Sequence, residues 1–526
     1  MSKPTTLQHL ATNQSSDFVK IKSERNGLGT LKTLIVVALI AIQAGVLAYF
    51  YVSFMYLFNW FAIMSLVLTA ITCIYVLSTN KNSQSKPMWI LFLIVCFAFG
   101  YIIYFMSDDK VFWYRNRKAY NKILAKSYKY QAKQLDIEAL SSNHQVRGEC
   151  AYFETSGNFV AYTNSDSKYF ADGASLFDSI LSDIEKAKKF VFIEYFIVSD
   201  GVLLRRLVDI LQEKVKQGVE VKIIYDDLGS HGTLKSKTKQ FIKKAGIEIL
   251  PFNRLLPMFN VMLNYRDHRK IVVIDGEIAY TGGANLADEY INEKRQYGYW
   301  KDAGIKVKGP AVDGFTLMFL RQWEFVSRKE ISFDNYLNLA KKTTNDALFV
   351  PYADGLEYPE NIGKDAYTNI IANSNKRLYI MSPYFVIDDT LRNMIINKAK
   401  SGVDIRIILP EVADKKIVYI ISRNTAEKLI HYGIKLYTMK NSFVHSKVML
   451  NETSAVVGSI NMDLRSFYQQ FESALYTNDK QTLKEIEADF EETFEKSNFI
   501  DKKNMKRKIA AFRLVAGVVN LISPFM

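Results

Sequence analysis

Apolar runs almost free of charge dominate the first hundred residues of this chain, and a different rhythm follows them. Leu34 to Tyr56, Leu57 to Leu77 and Met88 to Met106 are such runs, each long enough to predict a helix that crosses a bilayer. The first is too long for the apolar core of a cleavable signal peptide, and more spans follow it. A multi-pass anchor of three spans is therefore expected over residues 34–106, behind a polar tail at 1–33.

After residue 106 short β-branched runs alternate with amphipathic stretches, and the alternation occurs twice. Ala187 to Ile197 resembles Asn375 to Ile387; each precedes an amphipathic helical stretch, and then Gly218-Val-Glu-Val-Lys-Ile-Ile or Gly402-Val-Asp-Ile-Arg-Ile-Ile. A second helical stretch in each copy ends at Gly246 or Gly433, ahead of another short strand. Strands alternating with helices predict an α/β unit with a mixed or parallel sheet, and a repeat of this length predicts two pseudo-symmetric halves. The expected plan is a basic connector at 107–165, a first half at 166–340, a second at 341–500 and a basic, then apolar, terminal segment at 501–526. The polar stretch Lys341 to Asp346 suits the joint between halves.

Chemistry enters with two short histidine motifs placed 177 residues apart, one in each half. The first runs His268, Lys270, Asp275, then Gly282-Gly283-Ala284-Asn285; the second runs His445, Lys447, Glu452, then Gly458-Ser459-Ile460-Asn461. Aliphatic runs separate each Lys from its acid and each acid from its glycine, which predicts a β-hairpin with an acidic turn. Residues i and i+2 of a strand share a face, so each His and its Lys are expected in one pocket, joined by the Asn beyond the return strand. One His-x-Lys is a common accident; two, with matched downstream glycine and Asn, are not. The other four His (His9, His144, His231, His431) lack this context.

These motifs resemble the phospholipase D superfamily, whose signature is His-x-Lys-x4-Asp in two copies. The flanks, Gly282 to Tyr290, Tyr299-Trp300-Lys301-Asp302, Phe443 to Lys447, Asn461 to Phe467 and Phe471-Glu472, look like those of bacterial cardiolipin synthases. The likeness covers roughly residues 105 to 526, and is weaker in the apolar region before them. It implies one composite active site between two phospholipase D-like halves, with His268 as nucleophile and His445 as general acid; the motifs alone are symmetric and do not choose. It also implies a carboxylate behind each imidazole, Asp302 for His268 and Glu472 for His445. Glu452 departs from the pattern's Asp by one methylene, which a structural hydrogen bond in the turn could absorb.

Such a set can transfer a phosphodiester: one imidazole attacks phosphorus, the other protonates the leaving alkoxide, and Lys270, Lys447, Asn285 and Asn461 hold the phosphoryl oxygens. No cofactor is implied, because Walker-type and dinucleotide fingerprints are lacking. No metal is implied either, because Cys73, Cys96 and Cys150 lack ligand spacing.

The formal charge of +14 suits work at an anionic lipid surface, so phosphatidylglycerol and anionic membrane lipids are the expected partners and nucleic acid is not. The expected location is the cell membrane. Its charge pattern points both ways on sidedness: Lys20, Lys22, Arg25, Lys32, Lys81 and Lys86 favour an outer catalytic region, whereas Lys110, Arg115, Arg117, Lys118, Lys122 and Lys126 favour an inner one. Three functions stay open: a cardiolipin-forming phosphatidyltransferase, a hydrolytic phospholipase D or nuclease, and a non-enzymatic lipid-binding protein.

Overall fold

The computed structural model describes residues 38, 41–53, 56, 59–79, 85–96, 100–106, 114–131, 143–255 and 265–501. The expected tail at 1–33 and residues 502–526 of the terminal segment lie outside them. Within the apolar region the described helix Trp60–Ser78 is long and apolar enough to cross a membrane. Ala41–Ser53 is apolar but shorter. The third run differs from expectation, because it holds two short helices, Ser85–Val95 and Gly100–Met106. A Cβ built on Gly100 would stand 3.1 Å from the Leu93 Cα, an approach that a straight helix, rising about 10 Å over seven residues, forbids. The chain folds back there, and Val76, Leu93 and Tyr104 pack into one small cluster.

Two mixed sheets follow. The first comprises β1 (Asp166–Phe170), β2 (Phe190–Tyr195), β3 (Glu220–Asp226), β4 (Glu248–Phe252), β6 (Lys270–Ile274), β7 (Ile278–Gly282) and β9 (Gly304–Lys308), with the short β5 (Arg266–Asp267) and β8 (Tyr299–Lys301) outside it. Its order is β1-β9-β7-β6-β2-β3-β4. The second half supplies β10 (Phe349–Asp354), β11 (Arg377–Met381), β12 (Phe385–Val386), β13 (Asp404–Pro410), β14 (Lys435–Met439), β15 (Ser442–Val444), β16 (Val448–Asn451), β17 (Ala455–Gly458), β18 (Met462–Asp463), β19 (Gln470–Thr477) and β20 (Ser497–Ile500). The second sheet runs β10-β19-β17-β16-β11-β13-β14-β20, the same order with one further edge strand. The repeated glycine-led runs are β3 and β13, which pair in parallel with β2 and β11, and the predicted hairpins are β6–β7 and β16–β17.

Strands such as β2, β6 and β11 are almost wholly aliphatic and aromatic because both faces are covered. One continuous core joins the sheets, with Phe192, Ile271 and Ile305 in the same cluster as Leu378, Val456 and Leu475. Helix Val312–Ser327 is buried along most of its length and contributes Phe315, Phe319 and Trp323 to that core. The segment expected as a connector is built into it as well: helices Tyr114–Tyr128 and His144–Gly157 bury Tyr120, Leu124, Cys150 and Phe153 there. Its basic character did not reveal this, because the apolar residues lie on one face only.

Two short parallel pairings bring the strand ends that matter together. β5 pairs with β19, Arg266 opposite Gln470 and Asp267 opposite Phe471. β15 pairs with β8, Phe443 opposite Trp300 and Val444 opposite Lys301. Each stitches a residue run just before one half's histidine to the acid-bearing strand of the other.

Candidate active site

Those pairings set the geometry of both histidines. The backbone N–H of His268 donates to the Phe471 carbonyl at 2.8 Å, and that of His445 donates to the Lys301 carbonyl at 2.7 Å. Each imidazole is thereby held against the next residue of the opposite half. His268 Nδ1 lies 2.9 Å from both carboxyl oxygens of Glu472, and His445 Nδ1 lies 2.8 Å from Asp302 Oδ2. The two acids are the expected ones, but the expected pairing is reversed: Glu472 serves His268 and Asp302 serves His445. Spacing along the chain ties Asp302 to the first motif, whereas the parallel pairings across the halves present it to the second.

Glu472 is completely buried and takes hydroxyl hydrogen bonds from Ser459 and Ser466. Burial pushes its carboxyl well above the ordinary range. Asp302 accepts instead from the Trp300 indole at 3.3 Å and from the Ala303 N–H at 2.9 Å. Ser459, Ser466 and Trp300 carry the support for the acids, and the motif pattern alone gave them no role; Ser459 sits in the second motif, and Ser466 and Trp300 within the flanks that resemble the family.

Both histidines line one cavity of about 420 Å³, together with Asn285 and Asn461. Burial foremost, then Lys270 and Lys447, holds the His268 imidazole well below its ordinary value, so it is neutral at physiological pH. Nδ1 is engaged by Glu472, and Nε2 has no hydrogen-bond partner among the described residues. The His445 ring is enclosed by Tyr290, Trp300 and Phe443 at centroid distances of 5.4, 5.3 and 5.8 Å. Burial, reinforced by Lys447 and opposed by Asp302, lowers it to about 4.

The lysines stand beside their histidines. Lys270 Nζ donates to the His268 carbonyl at 2.6 Å, while Lys447 Nζ donates to the His445 carbonyl and stands 2.8 Å from Nδ1 and 3.0 Å from Nε2 of that ring. Burial brings Lys270 down to about 7 and Lys447 down to about 8, so an arriving phosphate would favour the charged form of both. Asn285 is fixed by the Ile197 N–H at 3.1 Å and by its own bond to the Tyr290 hydroxyl at 2.7 Å. The side-chain oxygen of Asn461 is buried without a partner among the described residues.

Asp275 and Glu452 require a correction, since the structure places neither with the catalytic set. Both lie in the hairpin turns, about 20 Å of strand beyond the histidines. Asp275 accepts the N–H groups of Lys188, Lys189 and Phe190 at 2.8, 2.7 and 3.0 Å. Its own φ of +55° and the +67° of Gly276 form the tight left-handed turn that an Asp-Gly pair favours. In the second half the Asn451 side chain holds the turn, accepting from the Thr453 and Ser454 N–H groups at 2.8 and 2.7 Å. Glu452 then reaches the Asn375 N–H at 2.7 Å and the Arg377 N–H at 3.4 Å. The extra methylene serves a different turn.

This mixed α/β core, with its two His–Lys motifs, defines a phospholipase D-like protein. The family model for "Cardiolipin synthase, PLD-like domain" matches residues 180–303 and 367–494. A cardiolipin synthase of Staphylococcus aureus is 32% identical over 476 residues, 88% of this chain and 94% of that protein. Another, from Halalkalibacterium halodurans, is 29% identical over 477 residues, 89% and 94% of the two chains. An uncharacterized protein of Streptococcus mutans is 34% identical over 462 residues, 86% and 99% of the two. In fold, the chain is similar to phosphatidylserine synthase of Haemophilus influenzae, with a TM-score of 0.55 at 15% identity over 73% of this chain and 100% of that one. The chain belongs to the bacterial cardiolipin synthase family of the phospholipase D superfamily, and it is a phosphatidyltransferase.

Proposed function

We propose that the protein is a membrane-anchored cardiolipin synthase that moves a phosphatidyl group from one phosphatidylglycerol to another, releasing glycerol, at one composite site built by both halves. The observation that carries this reading is the facing of two buried, carboxylate-backed imidazoles onto a single cavity. His268 Nε2 attacks phosphorus; the P–O bond to the glycerol headgroup breaks, and a proton from the Lys447 ammonium passes through His445 Nε2 to that oxygen. The hydroxyl of a second phosphatidylglycerol then attacks the phosphohistidine, its proton passes to His445, and the P–N bond breaks. Lys447, touching His445 Nε2, is the proton's neighbour at rest. Both lysines, Asn285 and Asn461 stabilise the phosphoryl oxygens as charge gathers. One phosphodiester replaces another, so the step draws on no nucleotide.

Membrane-crossing segments within residues 34–106 belong to the same proposal, supported by the apolar helix Trp60–Ser78. They would keep the cavity at the bilayer that holds phosphatidylglycerol and other anionic lipids. The test is to supply the membrane-embedded protein with labelled phosphatidylglycerol alone and identify the products. Cardiolipin with equimolar glycerol is expected, and His268→Ala abolishes both; phosphatidic acid as the main lipid product would make the protein a hydrolase, and full activity in His268→Ala would remove the nucleophile.

A further inference from the structure

Four residues beyond each cavity asparagine the halves carry opposite charges: Glu289 follows Asn285, and Arg465 follows Asn461. Both side chains line the cavity. Glu289 Oε2 and Arg465 Nε are buried atoms without a hydrogen-bond partner among the described residues. A buried polar atom left open in this way costs stability unless a ligand completes it. The other acids on the wall are occupied, since Asp463 accepts the Ser466 N–H at 2.8 Å and Asp414 accepts the Tyr384 hydroxyl. Lys415 leans over the Tyr384 ring at 5.7 Å.

The two open groups come from different halves of the chain. Glu289 adjoins Tyr290, whose ring packs against His445, the imidazole that faces the leaving alcohol in the proposed reaction. Arg465 lines the same cavity as His268 and is near enough to disfavour a charge on that imidazole.

We infer that Glu289 and Arg465 form a headgroup-reading pair: Glu289 accepts a hydrogen bond from a hydroxyl or ammonium on the phospholipid's alcohol, and Arg465 donates to a phosphoryl oxygen. This rests on the phosphatidyl-transfer reading and deepens it, because it makes the site selective for alcohols that bear a donor of their own. Without such a donor on the headgroup, the Glu289 oxygen stays unpaired in the complex.

The test uses the full chain in detergent micelles containing phosphatidylglycerol, phosphatidylethanolamine or phosphatidylethanol, whose headgroup has no donor. Headgroup release gives kcat/KM for each lipid, and the lipid product is identified separately. Glu289→Met, which keeps the volume and removes the acceptor, is expected to lower kcat/KM on a donor-bearing lipid about tenfold more than on phosphatidylethanol. Glu289→Gln restores the preference if the donor is the glycerol hydroxyl and fails to restore it if the donor is ammonium. Arg465→Gln lowers kcat/KM on all three lipids by a similar factor. Equal losses on all lipids in Glu289→Met, or a wild-type preference for phosphatidylethanol, would overturn the inference; should Glu289→Met fail to fold, Glu289→Ala gives the same ratio. Product identity judges the transferase reading independently, since a hydrolase would still display or lack the headgroup ratio. A wild-type protein that releases no headgroup at all removes both.

Discussion

His268 and His445 occupy matched places in two sheets of matched order, yet one imidazole presents an open nitrogen to the cavity while the other is covered by a lysine. Behind His268 stands a buried glutamic acid held by two serine hydroxyls. Behind His445 stands an aspartate held by an indole N–H and a backbone N–H, with three aromatic rings around the imidazole. The difference teaches that topology repeats more faithfully than chemistry. A duplicated backbone delivers two equivalent histidines, and the side chains that each meets from the opposite half make them unequal. A nitrogen without a partner suits attack; a nitrogen already touched by an ammonium suits proton delivery.

Removing either histidine is the most severe way to break this comparison. His268→Ala is expected to reduce turnover by at least about 10⁴-fold, and His445→Ala by about 10²- to 10⁴-fold, the range of general acid catalysis. A phosphodiester with a nitrophenol leaving group, which needs no proton, should rescue His445→Ala and leave His268→Ala inactive. Rescue of both, or rescue of His268→Ala alone, would reverse or erase the assigned roles.

The crossed acids come next. Glu472→Gln should impair His268 and Asp302→Asn should impair His445, each by about 100-fold through loss of ring orientation. The nitrophenyl substrate should rescue Asp302→Asn preferentially; preferential rescue of Glu472→Gln would return the acids to the pairing that chain order suggests.

The pH profile sharpens the contrast further. Because burial and the lysines depress His268, its neutral form persists to well below pH 6.5, and kcat/KM should hold on the acid side beyond the usual histidine range. Lys270 and Lys447, lowered to about 7 and about 8, lose their protons at a lower pH than ordinary lysines, so kcat/KM should fall as pH rises from about 7 through about 8. A bound phosphate favours the charged lysine, which places the basic limb of kcat at higher pH than that of kcat/KM. Lys447→Arg should remove the part of the basic limb near pH 8 and leave the part near pH 7; an unchanged limb near pH 8 would assign it to another group.

The smallest effects are expected in the turns. Asp275→Ala removes the acceptor for three backbone N–H groups and should destabilise the protein by about 2–3 kcal/mol, whereas Glu452→Ala, with one good bond and one long one, should lose about 1 kcal/mol. Urea unfolding of the detergent-solubilised chain measures both. Glu452→Asp should leave turnover within about twofold of the parent, since the turn stands far from the cavity; a large change in rate would return Glu452 to the chemistry.

Much of the fold was legible because the repeat is local. The β-branched runs, the glycines that lead β3 and β13, and the acidic turns all express period-two alternation and turn chemistry within a few residues. The helices Tyr114–Tyr128 and His144–Gly157 were harder to place, as the basic character of the first and the polar residues of the second hide one buried face in each. The third apolar run also misled, for hydropathy records how apolar a segment is and not where it folds back, and Gly100 reveals its reversal only once Leu93 is beside it.

By itself the sequence determined the two halves, the histidines, lysines and asparagines that face one another, and the two acids that back the imidazoles. Each is written in residue type and short-range spacing, which a single strand or hairpin can express. Only the tertiary structure decided which acid backs which histidine, that Asp275 and Glu452 clamp turns, and that Glu289 and Arg465 reach the cavity with open polar atoms. These depend on β5 pairing with β19 and β15 with β8, contacts between residues some 140 to 200 positions apart, where chain order carries no information about neighbours.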